Sequence, residues 1–107
     1  MMLYQEVPVM NQLEENRAVI GDVDQEMAQL FVRRFEAVRK IAQYKMERGL
    51  PVLDRSREEA LIAEKEQLVP QELRPYFRMW YEGMMGASRA FQSDLIARHT
   101  DGSAAEE

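Results

Sequence analysis

The chain has 107 residues, of which 46% are hydrophobic. That suffices for about one domain with a packed core, and its net charge of -5 excludes the basic footprint of a nucleic-acid binder. It has no Cys and one His, His99, which excludes disulfides, zinc-thiolate sites and a Cys nucleophile and argues against a His triad or a multi-His metal centre. No apolar run approaches the roughly 20 residues of a membrane span, and residues 1–10 carry Glu6 but no basic residue, unlike a secretory signal, so a soluble cytoplasmic protein without nucleic-acid or membrane partners is expected.

Prolines occur only at positions 8, 51, 70 and 75. Between Pro8 and Gly49 the one breaker is Gly21, so the pattern predicts a single long helix from Asn11 to Glu47, ended by Gly49-Leu50-Pro51. Ser56 with Glu59 fits a capping box for a short second helix, and Asp54 is the alternative N-cap. That helix runs to Leu68 and is closed by Val69-Pro70. A third begins at Gln71, tolerates Pro75 in its first turn, and continues to Arg98. The tail from Thr100 to Glu107 is small, polar and expected to fray. The predicted fold is all-α, with three helices: long, short, long.

Length bears on assembly. A helix of about 37 residues is a rod of roughly 55 Å, whereas a compact chain of this size has a radius of gyration of about 13 Å. The first helix overshoots that globule, and its apolar stripe needs covering by another chain. Interleaving of long helices in a homodimer follows.

On the first helix, Ile20, Val23, Met27, Leu30, Val38 and Ile41 form one stripe at about 100° per residue. Arg34 falls within it, and Lys45, eleven positions on, lies about 20° from Arg34. Both cations point at the core face, whereas Arg17 points about 100° aside, toward a different neighbour. Burying an unpaired cation is costly, so each needs an anionic partner; structural pairing or snorkelling of the long stems is the alternative. On the third helix, Phe77, Trp80, Met84, Phe91 and Leu95 make the stripe. Ser88 lies on it, and Gln92 follows one turn later on the same face. A back-bonded Ser and a solvated Gln would be the plainer reading. Asp54 and Glu58 share a face of the second helix, with Arg57 beside them; an N-cap and a surface ion pair would account for these without any function. Together, Arg34, Lys45, Asp54, Arg57, Glu58, Ser88 and Gln92 make an interior polar cluster rich in positive charge, suited to a small dianion. No activated nucleophile, phosphate loop or metal-ligand set is present.

The series Arg17, Asp24, Arg34, Lys45, Asp54, Arg57, Glu58, Ser88, Gln92 resembles the all-helical class of chorismate mutases. The pattern reads Arg-x6-Asp-x9-Arg-x10-Lys-x8-Asp-x2-Arg-Glu, then Ser-x3-Gln thirty residues after the Glu. The likeness spans roughly residues 10–98. It implies an intertwined homodimer with two shared active sites, in which the position matching Arg17 reaches into the partner's site. The domain is expected over residues 11–99, after an N-terminal extension (1–10) and before a disordered tail (100–107). The implied reaction is the Claisen rearrangement of chorismate to prephenate, the branch step toward phenylalanine and tyrosine, with no cofactor and no metal.

By this resemblance, Arg17 and Arg34 bind the substrate carboxylates and Ser88 adds a hydrogen bond to a carboxylate. Lys45 and Gln92 donate to the ether oxygen, Glu58 and Asp54 orient the ring hydroxyl, and Arg57 holds Glu58. The chain is too short for a second catalytic domain, so a monofunctional enzyme is expected. The family leaves room for docking onto another shikimate-pathway enzyme. Two other readings stand beside this one: an isochorismate pyruvate lyase of the same fold, and a non-catalytic helical dimerisation module.

Overall fold

A computed structural model describes the backbone of residues 3–106 and the side chains of residues 11–100. In chain order it has helix α1 (Leu3–Arg48), helix α2 (Arg55–Lys65), 3-10 turns at Glu66–Leu68 and Gln71–Leu73, and helix α3 (Arg74–Glu106). No strand occurs among the described residues, and the all-α, long-short-long reading holds. α1 begins eight residues before the expected Asn11. Pro8 falls in its second turn without ending it. α3 continues past Arg98 to Glu106. The expectations for the extension at 1–10 and the tail at 100–107 concern stretches that, apart from Thr100, lie outside the residues described by side chain.

The chain divides into two compact units, Met1–Arg34 and Phe35–Glu107. In the first, every described residue from Asn11 to Arg33 is exposed. That includes the expected stripe of Ile20, Val23, Met27 and Leu30, with Ile20 60% exposed and Leu30 58%. Asn16 Nδ2 donates to the Gln12 carbonyl at 2.7 Å along this face of the helix.

The second unit has a small core. Val38 and Ala42 of α1 are buried, as are Tyr81 and Met85 of α3, and α2 contributes no fully buried residue. Phe35 packs on Phe91 with ring centroids 5.3 Å apart, and the Arg39 guanidinium lies 5.2 Å over the same ring, so α1 and α3 meet through aromatic contacts. Two details of the expected stripes need correcting. Ile41 is exposed and Ala42 is buried in its place; Trp80 is half-exposed and Tyr81 is buried. Both helices carry apolar arcs wider than one contact face, and only packing selects which edge of the arc turns inward.

The turn between α2 and α3 is held by two arginines. Arg74 Nε donates to the carbonyls of Glu66 (3.1 Å) and Val69 (3.3 Å). Arg78 donates through Nη2 and Nε to Glu66 Oε2 at 2.8 and 3.2 Å. The hydrogen bond and charge of Glu66 raise the Arg78 pKa further above its ordinary value.

Candidate active site

The first candidate residue is set by how α1 ends. Gly49 has φ +65, the left-handed conformation that glycine adopts without a Cβ penalty. Gly49 N–H donates to Met46 O (3.3 Å) and Leu50 N–H to Lys45 O (2.8 Å), the paired bonds of a Schellman cap. This reversal brings Val52 back over the last turn of the helix. The half-buried Lys45 side chain donates through Nζ to Val52 O at 2.9 Å. Lys45 is thus satisfied by a neutral carbonyl, where the sequence argument called for an anion. A peptide dipole solvates the ammonium without neutralising it, and the cation stays available to a negatively charged ligand.

Asp54 follows two residues later. Its backbone is extended (φ -127, ψ 94) and its carboxylate accepts from the Arg57 N–H at 3.0 Å. Asp54 is therefore the N-cap of α2, and Ser56 lies inside the first turn. Capping fixes the face on which Glu58 emerges. Glu58 pairs with Arg89 of α3 through Oε1 and Nη1. Arg57 was expected to hold Glu58, but its side chain is exposed. A residue 31 positions beyond Glu58 takes the contact. Sequence reading missed Arg89. The one local signal was a cation directly beside Ser88.

Among the described residues, Ser88 and Gln92 are the two buried polar ones, 7% and 6% exposed. Gln92 Nε2 donates to Ser88 Oγ at 3.4 Å, one helical turn away, and Gln92 Oε1 is buried with no hydrogen-bond partner among the described residues. A buried, unmatched amide oxygen costs about 1–3 kcal/mol. An interior amide with spare capacity is thus poorly explained by packing alone.

A cleft of about 300 Å³ between α2 and α3 is lined by Leu53, Glu58, Ile62, Glu82, Met85 and Arg89, among others. A second, of about 390 Å³ between α1 and α3, includes Arg39, Gln43, Met46 and His99 in its lining and none of the candidate residues. In the first unit, Arg17 and Asp24 are exposed and Arg34 is partly buried. Among the described residues no group of three or more His, Cys, Asp or Glu could hold a metal ion, and no helix is long and apolar enough to cross a membrane.

The second unit thus offers an ammonium, an amide, a hydroxyl and a carboxylate held by a guanidinium. Groups of these kinds can bind a ligand and stabilise developing charge through fixed dipoles and charges. The chain matches the family model of chorismate mutase type II over residues 16–93, most of its length, and belongs to that family. Its activity is of the chorismate mutase type, an isomerisation. No curated protein and no solved structure gives a match.

Proposed function

We propose that the chain rearranges chorismate to prephenate, within aromatic amino acid biosynthesis. The observation that carries this reading is the Ser88–Gln92 pair: two polar side chains buried on the core face of α3, in register with the family's Ser-x3-Gln, one of them with an unmatched amide oxygen. Ser88 Oγ accepts one Nε2 hydrogen of Gln92, which leaves the other Nε2 hydrogen for the ether oxygen and the Ser88 O–H for a substrate carboxylate.

The reaction is a Claisen rearrangement within one molecule. A C–O bond breaks as a C–C bond forms, and no proton transfer or covalent intermediate is needed. The enzyme must hold the enolpyruvyl arm over the ring and stabilise the negative charge growing on the ether oxygen. Lys45 and Gln92 donate to that oxygen. Arg17 and Arg34 bind the two carboxylates, where planar guanidinium groups can pair bidentately, and Ser88 adds a carboxylate hydrogen bond. Glu58 accepts from the ring hydroxyl. Asp54, besides capping α2, orients that hydroxyl.

A homodimer with shared sites completes the proposal. The exposure of every described residue from Asn11 to Arg33 and the small core of the second unit support it, since these apolar side chains gain about 25 cal/mol per Å² on burial. Residues 11–99 form the catalytic domain, and a cytoplasmic location fits a biosynthetic enzyme of this kind. The test is to supply the purified protein with chorismate and isochorismate separately and to follow prephenate and pyruvate. Prephenate from chorismate supports the reading; pyruvate from isochorismate alone assigns the chain as a lyase, and neither product leaves a binding module.

A further inference from the structure

We infer that Arg89 is the positioning residue for Glu58, the role that the sequence pattern gives to Arg57; this rests on the reading of Glu58 as the acceptor for the ring hydroxyl. Three observations carry it. The Arg89 guanidinium pairs with Glu58 across the α2–α3 cleft, with side-chain exposures of 36% and 22%. The Arg57 side chain is exposed, and its backbone N–H is committed to the Asp54 cap. Gly86, one turn before Arg89, borders the guanidinium: a Cβ built there would lie 3.6 Å from Arg89 Nη2, in ordinary van der Waals contact.

A carboxylate on an otherwise unconstrained stem samples several rotamers and loses entropy when substrate fixes it. Arg89 holds Glu58 by Oε1, which leaves Oε2 as the acceptor for a hydroxyl donor. The orientation is then set before substrate arrives, and the guanidinium does so from the opposite helix, with a planar group that fixes direction as well as charge. At Gly86 an Ala makes ordinary contact, whereas a Leu sweeps the volume that the guanidinium occupies.

The experiment is a double-mutant cycle in the steady-state conversion of chorismate, with folding of each variant checked by circular dichroism. Arg89→Met should lower kcat/KM about ten- to a hundredfold, the scale of one hydrogen bond to a charged group, with Arg89→Lys recovering part of the loss. In a Glu58→Gln background, Arg89→Met should cost little more, because its effect passes through the carboxylate. Gly86→Leu, which keeps Arg89 but displaces it, should reproduce the loss; it tests the same point if Arg89→Met fails to fold. Full additivity of the Arg89 and Glu58 losses would mean that Arg89 meets the substrate itself, and overturns the positioning role. An active wild type matched by Arg89→Met, or by a folded Gly86→Leu if Arg89→Met does not fold, overturns it as well. A wild type that forms no prephenate overturns the reading of the site and this role together.

Discussion

Lys45 Nζ donates 2.9 Å to the carbonyl oxygen of Val52, seven residues along the chain and across the end of α1. The side chain proposed to act as a cation in the reaction is thus anchored by the turn that the same helix terminus creates. Its carbonyl serves the cap while its ammonium secures the segment leading to Asp54. One residue couples the stop of α1 to the start of α2.

Replacing Lys45 by Ala should remove a cation felt mainly by the transition state. The expected loss in kcat/KM corresponds to about 3 kcal/mol or more, the scale of one oxyanion donor. Steady-state kinetics on chorismate measure it. Turnover close to wild type would be incompatible with ether-oxygen stabilisation by Lys45.

Gln92→Glu should confine activity to acid pH. A Glu donates to the ether oxygen only when protonated, and carboxyl groups ordinarily ionise near pH 4.3, higher when buried. Activity of the variant therefore falls as pH rises through the carboxyl's pKa, while the wild-type amide, which does not titrate, keeps its rate. Parallel pH–rate profiles decide this, and superimposable curves count against the assignment of Gln92.

Asp54 has two roles that separate by substitution. Asp54→Ala should lose the cap at a cost of about 1 kcal/mol, read as a lower urea midpoint. Asp54→Asn keeps an N-cap acceptor and should hold near wild-type stability. If Asn restores stability but not kcat/KM, the carboxylate acts on the substrate; if it restores both, Asp54 is a cap alone.

Gly49→Ala places a Cβ in the left-handed conformation and should destabilise the fold by about 1–2 kcal/mol. Nothing lies within 4 Å of the added atom, so the backbone conformation alone is at issue. An unchanged unfolding midpoint would contradict the strain argument. Because the cap sets the Lys45–Val52 contact, a loss of kcat at temperatures where the variant stays folded is also expected.

Leu30→Glu puts a charge on the exposed apolar stripe of α1. A homodimer burying that stripe should dissociate and lose activity, which sedimentation analysis and a dilution series of the assay would register. Wild-type protein that sediments as a monomer at assay concentrations and is still active would remove the dimer from the proposal.

The sequence alone determined the helix order and marked Ser88 and Gln92 as polar residues of the interior, whereas Asp54 and Arg57, read into the same interior cluster, are exposed. Breakers at Gly49-Leu50-Pro51 and Val69-Pro70 mark where helices end because the reasons are local: a missing N–H, a missing Cβ. Ser88 and Gln92 were legible because polar residues on an apolar stripe stand out at helical spacing. Tertiary structure alone decided which edge of each apolar arc turned inward, burying Ala42 and Tyr81 in place of Ile41 and Trp80. It also decided that Arg89 and not Arg57 meets Glu58. Partner choice between helices depends on how two rods are placed against each other, and adjacency along one rod carries no information about that.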